Sequence, residues 1–163
     1  MTKFNYLIYN VKKNGKRWWR LLAKGTPVLI YLQTQRNQGG EISDYAKKFQ
    51  GQLFRIGPSL YLRYLEEDEE NKATVTFKIS ENGIIQLTRK QADIQMKLYF
   101  GDKQRIAALY RTAVGDIPIE TITPALSVTT RDNPLSGVIK IDYLLYSGEK
   151  LLGDYKLRLQ FTA

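Results

Sequence analysis

The chain has 163 residues, a formal net charge of +9, and neither Cys nor His. This length suits a single domain that buries ~70% of its unfolded surface. Without Cys and His, disulfides, Ser-His-Asp triads, Cys-His pairs and ordinary zinc sites are excluded, and no glycine-rich nucleotide motif is present. We therefore expect that the protein is not an enzyme and that it has no catalytic residue, cofactor or metal ion. No segment suits a membrane span or signal peptide, and the lack of Cys agrees with a reducing cytoplasm, so we expect a soluble cytoplasmic protein.

The positive charge is concentrated at the start of the chain. Residues 1–25 hold seven basic side chains and no acid, whereas the remainder holds 18 basic and 16 acidic side chains. We interpret residues 1–24 as a basic extension, poorly ordered or forming a short helix. A functional interpretation is an arm that contacts nucleic acid or a membrane surface, with charge from Lys and Arg and stacking or interfacial anchoring by Trp. The nucleic-acid candidates are Lys12, Lys13, Lys16, Arg17, Trp18, Trp19 and Arg20. The alternative is an extension without function, not translated if initiation occurs near Leu22.

From Pro27 onward, apolar and polar residues alternate with period two. The first expected strands have the apolar positions Val28, Ile30 and Leu32, then Phe49, Gly51 and Leu53, then Leu60, Leu62 and Tyr64. Such alternation predicts strands with one buried and one solvated face. The only helix candidate within this part is Ile42 to Phe49, which is short and mixed. The acidic run Glu66 to Glu70 reads as a solvated loop, because it lacks the ligand spacing of a calcium site.

The alternation continues to the end of the chain. Thr74–Ser80 and Ile84–Lys90 flank Asn82-Gly83, which favours a hairpin with a type I′ turn. Further strands are expected around Leu98, Ala108, Leu126, Ile141 and Leu157. About ten strands are expected in all. Because an open sheet of this size leaves exposed edges, the sequence predicts an all-β, antiparallel up-and-down barrel of about 8–10 strands in a single domain over residues 25–163.

Several short motifs resemble those of one known family. They begin at Gly25 (GTPV), Gly51 (GQL), Ser59 (SLYLRY), Thr76 (TFKI), Leu87 (LTR), Tyr110 (YRT, with Gly115) and Gly137 (GVIKIDY). Their order over residues 25–163 resembles the YwiB-like bacterial proteins, a family of unknown function. The resemblance implies a lipocalin-like, or calycin-type, β-barrel. Its motifs are strand patterns without a catalytic signature, so they imply fold and not activity.

Some polar residues fall in phase with buried positions and therefore point toward the barrel interior. We take these as candidate ligand-binding residues: Arg36, Arg89, Tyr64, Tyr110, Tyr143 and Tyr155. An inward guanidinium must be paired or must meet a ligand, and tyrosines supply flat walls with hydroxyl groups. Alternatively, the tyrosines only fill the core, and Arg89 pairs with a carboxylate at the rim.

These observations lead to a main hypothesis and two alternatives. The main hypothesis is a non-enzymatic barrel that binds a small amphipathic or anionic ligand. The first alternative is a nucleic-acid or ribonucleoprotein binding module that uses the basic arm. The second is a homo-oligomer formed through outward apolar residues, and the sequence leaves monomer and dimer open. Those outward residues are Tyr61, Leu65, Tyr99, Leu109 and Leu144.

Overall fold

Ten antiparallel strands form a closed barrel in a computed structural model that describes residues 25–163. The strands are β1 (Thr26–Gln38), β2 (Glu41–Ile56), β3 (Ser59–Glu67), β4 (Lys72–Ile79), β5 (Ile85–Gln91), β6 (Ile94–Phe100), β7 (Arg105–Thr112), β8 (Gly115–Asp132), β9 (Leu135–Ser147) and β10 (Lys150–Thr162). Each strand pairs with the next along the chain, and β10 closes the barrel against β1. The all-β up-and-down barrel expected from the period-two pattern is confirmed. Among the described residues, no helix is long and apolar enough to span a membrane.

The alternating pattern places one side of every strand in a common core. On β10, Leu157, Leu159 and Phe161 are buried, while the alternating neighbours Lys156 and Gln160 are exposed. The same phase is kept across each ladder; for example, Leu32 lies opposite Leu159 and Ile30 opposite Phe161. Burial of these apolar side chains supplies the main stabilisation, at roughly 25 cal/mol per Å² of apolar surface removed from water.

The two ends of the barrel differ in how well they are filled. The mouth end carries the β1–β2, β3–β4, β5–β6, β7–β8 and β9–β10 turns, and the floor end carries the other turns together with Gly25 and Ala163. Large side chains such as Phe100 and Phe161, fully buried, fill the floor half. A cavity inside the barrel lies in the mouth half.

Two glycines allow this dense packing at the floor. A Cβ at Gly137 would lie 2.4 Å from Cζ of Phe161, and a Cβ at Gly51 would lie 2.4 Å from Cδ1 of Ile30. Both distances are far inside van der Waals contact. The missing side chains thus create the room that Phe161 and Ile30 occupy, as expected where a glycine interrupts the buried face of a strand.

The barrel wall is least regular between β6 and β7. Only Gln95↔Arg111 and Met96↔Tyr110 are paired there, near the mouth. Toward the floor, β8 bridges the gap: the Thr121 hydroxyl donates to the carbonyl of Tyr99, and the amide of Thr123 donates to the carbonyl of Gln104. Backbone groups left by the separating strands therefore gain partners from a third strand.

On the opposite side of the wall, the β1–β2 hairpin rises above its neighbour. β2 pairs with β3 only from Gly51↔Tyr64 to Ile56↔Ser59, whereas it pairs with β1 from Glu41 to Leu53. We call residues 33–48 of this hairpin the lip. The β1 part of the lip still pairs with β10 as far as Asn37↔Asp154. Residues 41–48 of β2 are all exposed and lie beyond the β2–β3 ladder, so this strand of the lip projects from the rim.

Ile42 to Phe49, which is too short and mixed for a helix, belongs to β2. Two local predictions were wrong. Glu66, assigned to a solvated loop, lies on β3 and is half-buried. The Asn82-Gly83 hairpin is not a type I′ turn, because of these two residues only Gly83 has positive φ. The turn is instead closed by the amide of Gly83 donating to the carbonyl of Ser80, and β5 begins at Ile85.

Candidate functional site

The mouth half of the barrel contains a cup with a volume of about 330 Å³. This volume lies at the lower end of the ~300–1,000 Å³ range of small-molecule sites. The lower wall of the cup is apolar, and polar groups appear toward the rim. Its lining residues are Leu32, Thr34, Arg36, Ser43, Tyr45, Tyr64, Glu66, Val75, Phe77, Leu87, Arg89, Met96, Tyr143, Tyr155 and Leu157.

Five of the six interior candidates from the sequence line this one cup: Arg36, Arg89, Tyr64, Tyr143 and Tyr155. They come from five different strands, and the common inward phase of the strands brings them together. The sixth, Tyr110, packs partly buried against the core and does not line the cup. Its strand partner Met96 lines the cup instead, and a role of Tyr110 in ligand binding stays a prediction.

The tyrosine rings are held by stacking on other aromatic rings. Tyr143 and Tyr155 are parallel, with centroids 4.8 Å apart and an interplanar angle of 5°, and Phe100 packs against Tyr143 at 4.7 Å. Across the cup, Tyr64 stacks on Phe49 with centroids 4.5 Å apart. Such pairs each contribute about 0.5–1.5 kcal/mol beyond area burial, so both walls are fixed before any ligand arrives.

The hydroxyl groups of these tyrosines are not used by the fold. No hydrogen bond among the described residues involves the hydroxyl of Tyr64, Tyr143 or Tyr155, and none of these oxygens is sealed off from accessible space. Desolvation by burial raises the pKa of Tyr64, with a further increase from the charge of Glu66. Burial also raises the pKa of Tyr143. The buried phenols therefore remain neutral at physiological pH and can donate into the cup.

The two arginines of the cup differ in their partners. Arg89 forms an ion pair with Glu66, with Nε 2.8 Å from Oε2, and its Nη1 donates to Oε1 of Gln91 at 3.1 Å. Gln91 in turn donates to Oδ1 of Asn71 at 2.8 Å, which ties the β3–β4 turn to β5. This ion pair is the contact expected in the alternative in which Arg89 pairs with a carboxylate at the rim.

Arg36 lies at the exposed end of the cup and has no ion-pair partner among residues 25–163. With one carboxylate against two guanidinium groups, the charged lining carries a net charge of +1. The cup thus presents an apolar base, neutral hydroxyl donors on its walls and a surplus positive charge at its rim. This arrangement can accept an amphipathic molecule whose anionic end points outward.

The sequence did not indicate three cup residues, Ser43, Tyr45 and Glu66. Ser43 and Tyr45 project from the lip, where both faces are solvated and hydrophobic alternation is lost. Only their spacing from Phe49 in steps of two could have revealed them. Glu66 was obscured by the acidic run, although it follows Leu62 and Tyr64 in the inward phase. Desolvation by burial and the charge of Glu66 raise the pKa of Tyr45.

The structure does not bring the residues of the other candidate surfaces together in one described site. The proposed nucleic-acid residues, Lys12 to Arg20, lie outside the described residues. The outward apolar residues occur on β3, at the β6–β7 groove and on β9, and intervening strands separate these three places. They therefore do not form one continuous patch. The described residues also contain no cluster of three or more acidic side chains that could hold a metal ion.

Comparison with known proteins agrees with the barrel. Residues 30–159 match the model of a protein family described as "Domain of unknown function (DUF1934)". The chain belongs to this family. Among solved structures, the barrel is similar to that of the ywiB protein from Bacillus subtilis, with a TM-score of 0.72 and 19% sequence identity over 85% of this chain and 92% of that one. At this identity the likeness shows the fold alone. No curated protein matches the chain significantly.

The family assignment and the barrel confirm the resemblance found in the strand motifs. The family description gives no activity. Any function must therefore be argued from the residues of this chain.

Proposed function

We propose that this protein is a non-enzymatic binding protein whose cup holds one small amphipathic ligand with an anionic end. The main support is that Tyr64, Tyr143, Tyr155 and Arg36 line one cavity, while the described residues give no hydrogen-bond partner to the three hydroxyls and no ion-pair partner to Arg36. These four polar groups surround an apolar base and remain accessible. Because the described fold does not use them, they are available to hydrogen-bond and pair with a ligand.

The chemistry of the lining supports the proposed non-catalytic role. The cup has one carboxylate, Glu66, which is already paired with Arg89. General acid–base catalysis needs a group that gains and loses a proton near neutral pH, and the raised pKa values of Tyr64 and Tyr143 move these phenols away from that range. The lining is therefore better suited to binding a ligand by shape, hydrogen bonding and charge than to acid–base catalysis.

Two dyes that differ by one charge can test the proposal. 8-Anilinonaphthalene-1-sulfonate carries an anionic group, and N-phenyl-1-naphthylamine is its uncharged counterpart. We expect both to bind with enhanced fluorescence and the sulfonate dye to bind more tightly. Arg36→Gln should weaken binding of the sulfonate dye about tenfold, the loss of a charged hydrogen bond, and leave the uncharged dye unchanged.

Lys140→Gln provides the matched control, because Lys140 is exposed on the outside of β9. If both variants weaken the sulfonate dye equally, the effect is one of overall charge and the rim assignment fails. If neither dye binds the wild-type chain, the cup is not a ligand site. Native mass spectrometry of the purified protein then tests for a co-purifying molecule of the proposed class.

A second candidate function is nucleic-acid binding through the basic arm. It is favoured by the charge distribution, since seven basic residues precede a barrel sequence that is nearly neutral. Replacing Lys12, Lys13, Lys16, Arg17 and Arg20 by Gln in the full chain should abolish binding to RNA and its salt dependence. RNA binding that survives these substitutions, or no binding at low salt by the wild type, contradicts this function.

A further inference from the structure

The outer edge of the lip is an unpaired stretch of β-strand. Residues 41–50 of β2 pair with β1 on one side, and no other strand among residues 25–163 pairs with them on the other. Alternate residues along such an edge present their backbone N–H and C=O groups to solvent. An edge of this length is a template for another strand.

The side chains on this edge discourage most partners. Lys47 and Lys48 lie beside each other in sequence, and Glu41 and Asp44 precede them. Lysines on an edge strand commonly prevent pairing with unrelated strands. Two exposed apolar side chains nevertheless remain in the same stretch, since Ile42 is 60% and Tyr45 45% exposed. A suitable partner must therefore supply acidic groups opposite the lysines.

We propose that the partner is a second copy of this chain, with the two edges paired antiparallel about a two-fold axis at Ala46. A two-fold axis perpendicular to a sheet brings one residue opposite its own copy. Residues equally distant on either side of it then lie opposite each other on the same face. With Ala46 at the axis, Asp44 of each copy lies opposite Lys48 of the other. Both side chains point outward from the barrel, because they share one parity on β2.

Other registers with the same symmetry are less favourable. Centring the axis on Asp44, Lys47 or Lys48 brings like charges directly opposite each other. Centring it on Tyr45 leaves every charged side chain opposite a neutral one. Only the Ala46 register among these gives two attractive pairs without a repulsive one. It also places Tyr45 opposite Lys47 of the other copy, a contact of the type that Lys47 already makes with Phe49 at 5.4 Å.

This dimer would form a continuous sheet across two barrels. The lip also supplies Ser43 and Tyr45 to the cup, so pairing would brace one wall of each cup and leave the apolar base unchanged. The proposal does not depend on the cup holding a ligand, and its test contains no ligand.

Charge reversal and its rescue test the pairing in the full-length protein. Sedimentation velocity from about 1 to 100 μM should show a monomer–dimer equilibrium for the wild type. Asp44→Lys and Lys48→Asp should each raise the dimer dissociation constant about tenfold or more, because each turns two attractive pairs into two repulsive ones. The double variant Asp44→Lys/Lys48→Asp should restore dimerisation, because it reverses both members of each pair.

Lys140→Asp is the control, since it makes the same charge change on the outside of β9 and should leave the equilibrium unchanged. Far-UV circular dichroism confirms that each variant keeps the barrel. The proposal is overturned if the wild type is monomeric throughout, if either single variant dimerises as well as the wild type, or if the double variant remains as weak as the singles.

Discussion

Replacing Tyr143 by Phe should separate the role of this residue in stability from its role in binding. The side chain is 7% exposed, and its ring packs on both Tyr155 and Phe100. Tyr143→Phe keeps these ring contacts and removes only the hydroxyl, which has no hydrogen bond to the described residues. A buried tyrosine that hydrogen-bonds to the protein usually loses about 0.5–1.5 kcal/mol of stability when its hydroxyl is removed.

For Tyr143, the structure predicts that removing the hydroxyl does not lower the free energy of unfolding. Its hydroxyl is partly desolvated in the folded state without a compensating protein partner, so removal should leave the free energy of unfolding unchanged or raise it by up to about 1 kcal/mol. Tyr143→Leu, in contrast, loses two aromatic contacts of about 0.5–1.5 kcal/mol each, together with buried area, and should cost about 2–4 kcal/mol.

Urea unfolding followed by far-UV circular dichroism measures both changes, and dye titration measures binding in parallel. Tyr143→Phe should weaken binding of the sulfonate dye about threefold to tenfold while the midpoint of unfolding stays the same or rises. A loss of stability above about 1 kcal/mol in Tyr143→Phe would refute the reasoning, because it would mean that the hydroxyl serves the fold.

Three further predictions address the core, the ion pair and the titration of the cup. Gly51→Ala should destabilise the barrel by about 1–3 kcal/mol in urea unfolding, since the new Cβ would lie 2.4 Å from Ile30 and 2.8 Å from the carbonyl oxygen of Arg63. The control Gln50→Ala should have little effect on stability, because Gln50 is exposed. Glu66→Gln should release Arg89 and tighten binding of the sulfonate dye several-fold. The loss of stability should stay under about 1 kcal/mol, because both partners of the ion pair are partly solvated. Unchanged affinity for the dye argues against an anionic end at the rim. Because the pKa values of Tyr64 and Tyr143 are raised in the folded state, stability should be full below about pH 10, where tyrosines of the unfolded chain ionise, and should fall above it. In the Tyr64→Phe/Tyr143→Phe variant, stability should fall less steeply above about pH 10. If the variant and the wild type show the same dependence of stability on pH, these two tyrosines are not its cause.

The sequence predicted the barrel wall well because its signal is local. Alternation along β10, for example, follows from the geometry of one strand, and closure follows from the number of strands. The same phase argument placed Arg36 and Arg89 on the inside. It failed where a strand leaves the wall: the lip has two solvated faces, so neither β2 before Phe49 nor the position of Tyr45 could be read from hydrophobic spacing.

The depth of the cup could not be predicted, because it depends on contacts between residues far apart in sequence. Phe161 fills space above Gly137 on the neighbouring strand, and the two residues are related only through the register of β9 and β10. Tyr110 shows the same limit. Its phase is inward, but whether an inward side chain meets a cavity or the core depends on the residues across the barrel.

The division of the interior into a filled floor and an open mouth has a physical basis in the residues used. Phe100 and Phe161 are apolar throughout and can pack from all sides, whereas a tyrosine can bury its ring only if its hydroxyl reaches water or a partner. Tyr64 and Tyr143 are buried in the wall and line the cup, and their hydroxyls remain accessible. The floor can therefore stabilise the barrel while the hydroxyls and Arg36 stay available for binding. Substitutions that remove only these polar groups should alter binding far more than stability.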